Sequence, residues 1–374
     1  MFGPARPHWL EQATSAFHRR PKGHAQSKWT SPPMQMYANA VYYPNYRASI
    51  ECPPSSLRCD MISHVFYAFA AISDSGEVYL ENHETDCSIP IDGTQGCLRA
   101  LAQLKPKYSH IKLILSVGGA KANKIAFSNA SSDEDRRTRF AISARHLLDQ
   151  YQLDGIDIDW EHPEPYESEN YLQLMACLRC HLPCPRYIVS TALPAGEWVL
   201  CRFDLPRLAS SIDFLNLMAY DFTGDWGDPR ISGHHAQLYP NHGGGSSHPA
   251  IDYILGKGFP PRKVLLGCPC YGWSFLNCNS INQPCNNCGG AGGAFEYKDL
   301  PRPGTQECVD EGPVAAFCVG GDGGFVTYDN VDTIAAKARY AKSRGLGGMF
   351  FWHGLADKEG DRSLVYTSYK TLHE

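Results

Sequence analysis

Four carboxylic acids fall within eight residues of the segment 153–161, whose sequence is LDGIDIDWE. Because successive side chains of a β-strand point to opposite faces, Asp157, Asp159 and Glu161 are predicted to share one face, with apolar residues on the other. Burying a row of like charges costs several kcal/mol unless protons are shared or a ligand is bound. The segment therefore predicts a strand whose acidic face serves a function.

The bland alternative for this segment is an edge strand with a solvated acidic face. A half-exposed strand rarely carries only carboxylates on its wet side, which disfavours that interpretation. Stacked carboxylates cannot all ionise freely, so at least one is expected to keep a raised pKa and to act as a general acid near neutral pH. Asp154 has the opposite parity and is predicted to be structural.

Eight strand-like segments alternate with helical patterns along the chain. Several of these segments are almost wholly apolar, as expected for strands of a parallel sheet that is covered on both faces. This alternation predicts an α/β fold, a closed (β/α)8 TIM barrel, with a doubly wound open sheet as the alternative. The predicted strands are residues 36–43, 62–71, 111–117, 155–160, 187–192, 214–219, 264–268 and 348–352.

The domain limits follow from composition. Residues 1–33 are polar and basic and lack the apolar block of a secretory signal, so they are predicted to be a disordered leader. Residues 34–374 form the predicted catalytic barrel. Residues 274–325, between strands seven and eight, are rich in Gly and Cys and are predicted to be an irregular insertion on the rim where barrel active sites lie.

Charge and cysteine content limit the partners and the compartment. A net charge of −5 gives no argument for nucleic acid or an anionic membrane, and no apolar run is long enough to span a bilayer. Fifteen cysteines, many in turn-rich sequence, are typical of disulfides in an oxidising compartment. The C-x-x-C at Cys285 and Cys288 leaves zinc as the less favoured alternative. The histidines His234, His235 and His242 match no strong metal motif and predict a solvated loop.

At five places the sequence resembles the glycoside hydrolase family 18 chitinases, fungal-type (class V) branch. The strand 153–161 matches the family signature D-G-x-D-x-D-W-E at every fixed position. The resemblance spans most of the predicted barrel, from about residue 36 to residue 365. The other matching motifs are Tyr42-Tyr43-Pro44-Asn45, Ser116-Val117-Gly118-Gly119, Met218-Ala219-Tyr220-Asp221 and Gly347-Gly348-Met349-Phe350-Phe351-Trp352.

The resemblance implies hydrolysis of β-1,4-linked N-acetylglucosamine chains without an enzyme nucleophile. Glu161 would protonate the glycosidic oxygen, Asp159 would accept a hydrogen bond from the substrate's acetamido N–H, and Asp157 would share a proton with Asp159. Tyr220 would hold the acetamido oxygen in line for attack. The implied substrate-binding residues are Trp352, Tyr42, Asp221, Met218, Ser116, Gly118 and Gly119.

Alternatives remain at several of these positions. Ser116, Gly118 and Gly119 are as typical of tight strand-to-loop packing as of a binding role. Taken alone, Tyr220 is typical of a core tyrosine, but its motif neighbours favour a site role.

Three positions depart from the family pattern. Ala120 stands where the family often has a tryptophan platform, His162 replaces a tyrosine, and Trp273 replaces an arginine. Losing a platform weakens the binding of leaving-group sugars. Trp198, Trp226 and Trp273 are candidates to compensate.

Two other functions keep the same fold. A chitin-binding lectin usually loses the terminal acid, and Glu161 is present. An endo-β-N-acetylglucosaminidase usually lacks the strand-six and C-terminal motifs found here. We expect a monomer that binds chitin or chito-oligosaccharides and uses no cofactor or metal. Cysteine usage and the resemblance predict an extracellular protein, whereas the signal-free start leaves an intracellular location open.

Overall fold

The structure, a computed structural model, describes residues 37–49, 52–227, 230–241 and 245–374. The predicted leader, residues 1–33, lies outside these ranges. The strands are, in chain order, β1 Ala38–Pro44, β2 His64–Ile72, β3 Val78–Tyr79, β4 Pro90–Ile91, β5 Thr94–Gln95, β6 Lys112–Gly118, β7 Gly155–Asp159, β8 Ile188–Pro194, β9 Phe214–Met218, β10 Val264–Pro269, β11 Tyr271–Phe275, β12 Ala294–Glu296, β13 Glu307–Asp310, β14 Ala315–Gly320, β15 Gly324–Tyr328 and β16 Gly348–Trp352.

The predicted (β/α)8 barrel is confirmed. Parallel pairing gives the order β1-β16-β10-β9-β8-β7-β6-β2, and β1 also pairs with β2, which closes the sheet. Each of the eight predicted strands corresponds to one barrel strand, with ends that differ by a few residues. Closure places the carboxyl ends of all eight strands around one rim.

Most helices lie between successive barrel strands along the chain, and the last one follows the final barrel strand, β16. Asp133 caps α3 and Asn330 caps α8, each by accepting a hydrogen bond from a backbone N–H of the first turn. The helices are α1 Cys97–Ala102, α2 Lys124–Ser131, α3 Glu134–Gln150, α4 Ser168–His181, α5 Glu197–Leu200, α6 Leu205–Ser211, α7 Ser247–Gly256, α8 Val331–Ser343 and α9 Leu364–His373.

Strand β7 has the predicted division between its two faces. Ile156 and Ile158 are fully buried in the core between barrel and helices, and the Trp160 ring stacks on Phe127 of α2, with centroids 5.1 Å apart. Asp154, of the same parity, pairs with Lys105 at 2.9 Å and accepts from a backbone N–H, which agrees with a structural role. The acidic side chains are therefore left to the barrel interior.

The segment between β10 and β16 contains a five-stranded antiparallel sheet, in the order β12-β11-β15-β14-β13. The prediction of an irregular insertion at 274–325 is wrong in this respect, and the strands run from Tyr271 to Tyr328. A small core of Phe275, Phe325, Cys278 and Cys285 lies on it. Short strands separated by glycine-rich turns give little periodic signal, which is why composition suggested loops.

The fifteen cysteines all lie in the described ranges and are free thiols in the structure, so the predicted loop disulfides are not observed. No group of three or more metal-ligating side chains is found within the described residues. No helix in the described part of the chain is long and apolar enough to cross a membrane.

Candidate active site

The acidic side chains of β7 form a column in the barrel. Asp157 is fully buried, Asp159 at the strand's end is 4% exposed, and Glu161 lies two residues further on, at the rim. The alternation of the strand directs all three to one side. The column thus runs from the interior of the barrel to its open end.

Asp157, at the base of the column, accepts hydrogen bonds from residues of four other barrel strands, β1, β6, β8 and β9. Its Oδ2 accepts from the Tyr42 hydroxyl at 2.9 Å and from Ser116 Oγ at 2.8 Å. Its Oδ1 accepts from Ser190 Oγ at 2.7 Å and from Asn216 Nδ2 at 3.2 Å. Burial raises the pKa of this carboxyl, and the four donors oppose that rise.

Asp159, in the middle, has no comparable support. Its buried Oδ1 finds no hydrogen-bond partner among the described residues, and no hydrogen bond joins it to Asp157. Burial and the charges of Glu161 and Asp157 raise the pKa of Asp159 well above its ordinary value. Burial and the neighbouring charges therefore favour the protonated form of Asp159.

Glu161, at the top, is partly buried. Burial and the negative charge of Asp221 raise its pKa to about 7, although Lys124 opposes the rise. A carboxyl that titrates near neutral pH can give a proton in one step and take one in the next. This confirms the expectation that the column contains an acid of raised pKa.

A cavity of about 250 Å³ opens above the column. It brings together five predicted site residues besides Glu161 and Asp159, along with Phe69, which the sequence interpretation missed. The lining residues are Tyr42, Phe69, Ala120, Asp159, Glu161, His162, Pro194, Trp198, Met218, Tyr220, Asp221 and Trp352.

Aromatic rings form one wall of the cavity. Trp352 stacks on Phe69 with centroids 5.6 Å apart and meets the edge of Tyr42 at 5.4 Å. The Tyr220 ring packs against Phe350 at 6.3 Å. Burial, with the charges of Asp159 and Asp221, raises the pKa of Tyr220 well above its ordinary value, so its hydroxyl remains a donor.

Three predicted binding residues lie outside this cavity. Ser116 is fully buried and donates to Asp157, so it supports the column from below instead of contacting a ligand. Gly119 lies against Phe69, where a Cβ would be 2.5 Å from the ring, and Gly118 against the Asp159 carbonyl, where it would be 2.1 Å away. For these glycines the packing alternative describes the structure, although Gly118 also lines a neighbouring groove.

Asp221 lies at the lip of the cavity and is held by a cluster of donors. Its Oδ1 accepts from the Tyr271 hydroxyl and from Trp273 Nε1 at 2.8 Å, and His235 Nδ1 is 3.5 Å away. Partial enclosure raises the pKa of this carboxyl, but His235, Trp273 and Tyr271 outweigh that effect and hold the pKa below its ordinary value. Asp221 is therefore anionic beside Glu161.

The histidine prediction needs correction. His235 is fully buried and His234 is 5% exposed, so these two do not belong to a solvated loop. His234 contacts Asp310 and Thr327 of the insertion sheet. His242 lies outside the described residues.

Comparison with known proteins identifies this arrangement. The family model described as glycosyl hydrolases family 18 matches residues 38–357. Endochitinase 1 of Metarhizium robertsii is 34% identical over 367 residues, which cover 90% of this chain and 85% of the relative. The chain belongs to glycosyl hydrolase family 18.

Other family 18 relatives extend the match. The class V chitinase of Arabidopsis thaliana is 29% identical and covers 82% of this chain and 83% of its own length. The structure of the GH18 chitinase from Cycas revoluta in complex with (GlcNAc)3 is 28% identical, with a TM-score of 0.78 over 89% of this chain and 98% of that one. The predicted family is confirmed.

The three departures from the family 18 pattern lie at or near the cavity. Ala120 and His162 line it, and Trp273 donates to Asp221. Trp198, a candidate to compensate for these departures, also lines the cavity. Trp226 packs edge-on against Trp273, with centroids 5.0 Å apart. None of these contacts could be placed from the sequence.

A larger groove of about 890 Å³ adjoins the cavity on the side of β2 and β6. It shares Phe69, Ala120 and Trp352 with the cavity and continues past the exposed ring of Tyr46. Cavity and groove together form an extended cleft across the rim of the barrel.

Proposed function

We propose that this protein is a chitinase that hydrolyses β-1,4-linked N-acetylglucosamine polymers or oligomers by substrate-assisted, retaining catalysis. The observation that carries the proposal is the pair of acids at the rim. Glu161 has a pKa of about 7, and Asp159, whose pKa is raised well above its ordinary value, lies beneath it in a cavity with one aromatic wall. The Cycas revoluta relative, whose structure contains (GlcNAc)3, supports the same ligand class.

In the first step Glu161 gives its proton to the glycosidic oxygen. The carbonyl oxygen of the substrate's own acetamido group attacks the anomeric carbon, and the bond to the leaving sugar breaks. The product is an oxazolinium ion, in agreement with the exceptional place of this family among retaining glycosidases.

Asp159 and Tyr220 hold the acetamido group for that attack. The acetamido N–H donates to Asp159, and the Tyr220 hydroxyl donates to the acetamido oxygen. As positive charge develops on the oxazolinium ion, Asp159 gives its proton to Asp157 and stabilises the ion as a carboxylate. A nucleophile fixed in near-attack geometry gains a large effective concentration.

The surrounding residues support these groups. Trp352 forms the apolar floor under the sugar, with Met218 and Tyr42 beside it. Burial and the charge of Asp221 favour the protonated form of Glu161, which the first step requires. Asp157 fixes the base of the column. In the second step Glu161, now ionised, removes a proton from water, which opens the ion with retention of configuration.

Hydrolysis of chitotetraose by the wild type and by Glu161→Gln tests this proposal. General acid catalysis contributes about 10²–10⁴-fold, so Glu161→Gln is expected to lose that factor in kcat while still binding the substrate. Glu311→Gln, an exposed glutamate in the insertion, is the matched control and should keep full activity.

Equal activity of wild type and Glu161→Gln would sink the mechanism. A wild type that binds chitotetraose without cleaving it would favour the lectin. A wild type that cleaves only the core of N-glycans would favour the endo-β-N-acetylglucosaminidase.

We further propose that the protein is an extracellular monomer with some cysteines paired. Its cysteine content supports this, although the structure contains free thiols only. Thiol titration of the unfolded native protein tests the pairing. Finding nearly all fifteen thiols free would contradict an oxidising compartment.

A further inference from the structure

An exposed tryptophan lies on the rim directly beside the catalytic acid. Trp198 belongs to the short helix α5 (Glu197–Leu200), which follows the carboxyl end of β8. Its ring is 59% exposed, yet it lines the same cavity as Glu161 and His162. A large aromatic ring that is open to solvent and lines the same cavity as the acid is a candidate contact for a ligand.

The indole of Trp198 is held in a defined position. The His162 ring meets it edge-on, with centroids 5.4 Å apart and planes at 83°. The Arg202 guanidinium lies 5.6 Å from its centroid, and Arg202 Nε donates to the Trp198 carbonyl at 3.1 Å. A ring fixed in advance loses little conformational entropy on binding.

Gly196 supplies the space for this position. A Cβ on Gly196 would lie 2.3 Å from Trp198 Nε1, which no side chain can tolerate unless the indole moves. The backbone of Gly196, at φ −141° and ψ 130°, is open to any residue. Glycine at position 196 therefore makes room for the indole and is not required by the backbone conformation.

Two departures from the family pattern meet at this place. Ala120, where the family often carries its tryptophan platform, lines the same cavity as Trp198. His162 lies between Glu161 and the indole. Burial, with Lys124 and Arg202, lowers the pKa of His162 to about 4, so the imidazole adds no positive charge beside Glu161 near neutral pH.

The position of Trp198 relative to Glu161 determines which sugar it meets. In the proposed mechanism Glu161 protonates the oxygen between two sugars, and the sugar that carries the reacting acetamido group lies over Asp159 and Trp352. Trp352 packs with Phe69 and Tyr42, whereas Trp198 packs with His162 and Arg202. The two tryptophans thus belong to separate ring clusters of one cavity, so a sugar stacked on Trp198 is a different one from the sugar over Trp352.

We propose that Trp198, held by His162, Arg202 and the gap at Gly196, is the stacking platform for the leaving-group N-acetylglucosamine, in place of the tryptophan that Ala120 replaces. This inference rests on the proposed chitinase function. The apolar face of the sugar ring lies on the indole, so the platform stabilises substrate and transition state alike. Its loss therefore raises KM more than it lowers kcat.

A pair of substrates separates this role from a structural one. The leaving group of chitotetraose is a sugar, which would lie on the indole. The leaving group of β-chitobiosyl fluoride is fluoride, so this substrate places no sugar on the indole. Trp198→Ala is expected to lose about tenfold in kcat/KM on chitotetraose, equivalent to about 1.4 kcal/mol, and to keep wild-type kcat/KM on the fluoride. Trp198→Phe, which keeps a smaller ring, should fall in between.

Gly196→Ala tests the same platform without removing the ring. Its methyl group displaces the indole, so kcat/KM on chitotetraose should fall while kcat/KM on the fluoride is unchanged. Tyr166→Ala is the control, because Tyr166 is an 82% exposed aromatic residue that lies outside the cavity lining. It should match the wild type on both substrates.

Several results would overturn the platform. Unchanged kcat/KM of Trp198→Ala on chitotetraose, or an equal loss on both substrates, rejects it while the chitinase function stands. Wild-type behaviour of Gly196→Ala rejects the gap as its support. A selective loss in Tyr166→Ala shows that exposed rim aromatics act without a defined site. A wild type inactive on both substrates rejects the proposed function itself, and the platform with it.

Discussion

The base and the top of the acidic column differ in how fully their carboxyl groups are hydrogen-bonded. At the base, each oxygen of Asp157 accepts two hydrogen bonds, from residues of four other strands. Towards the top, Asp159 has an oxygen without a partner among the described residues, and Glu161 has a pKa of about 7. Satisfied polar groups stabilise a fold, whereas unsatisfied ones mark the place where a ligand completes the bonding.

The largest expected effect is that of Asp159→Asn on catalysis. An amide cannot become a carboxylate beside the oxazolinium ion, so kcat for chito-oligosaccharides should fall by about 10²–10³-fold. Burial raises the pKa of Asp159 well above its ordinary value because the charged form destabilises the folded state, so the free energy of unfolding at pH 7 should stay constant or rise. Steady-state kinetics and urea unfolding of the same variant measure both. Loss of stability with retained activity would reverse the assigned roles.

Asp157→Asn should show the opposite pattern. The amide turns an N–H₂ group towards donors that need an acceptor, so we expect the free energy of unfolding to fall by about 1–3 kcal/mol. Asp361→Asn, at an exposed turn, is the control and should unfold like the wild type. If Asp157→Asn is as stable as the wild type, the four hydrogen bonds do not anchor the column.

The parts of the fold and of the site also differ in how well they could be predicted from the sequence. The signature strand, its parity and the eight-strand alternation predicted the barrel and the column of acids, because both depend on local periodicity. Ser190 and Asn216 were missed, although each is an isolated polar residue in an apolar strand. Phe69 and Tyr271 gave no local signal, and His235 gave a misleading one. Only the folded structure brings Phe69 to the cavity and places Tyr271 and His235 against Asp221.

The insertion sheet shows the same limit on a larger scale. Its strands are three to six residues long and pair antiparallel across glycine-rich turns. Short strands of this kind are specified by their tertiary pairing more than by their own pattern. The sequence therefore located the insertion but not its structure.

A smaller effect is expected on the pH dependence of stability. The pKa of Glu161 is about 7 in the folded protein, against an ordinary value of 4.5. The folded state therefore binds a proton that the unfolded state has released, and this contribution to stability declines between about pH 4.5 and pH 7. Glu161→Gln lacks that decline, so its stability relative to the wild type should rise by about 1–3 kcal/mol across this window. A constant difference would show that Glu161 titrates normally.

The smallest effect is that of Asp221→Asn on the pH profile. The anionic Asp221 raises the pKa of Glu161, so removing the charge should lower that pKa by less than about one unit. Because Glu161 must be protonated to act as the acid, the alkaline limb of kcat/KM should move to lower pH. A shift to higher pH would contradict the assigned coupling.

The most direct test of the column is the pH dependence of kcat/KM for chitotetraose in the wild type. If Glu161 is the general acid, activity should decline with a single apparent pKa near 7 on the alkaline side. An activity that stays constant from pH 6 to pH 9 would contradict the claim that a protonated Glu161 starts the reaction.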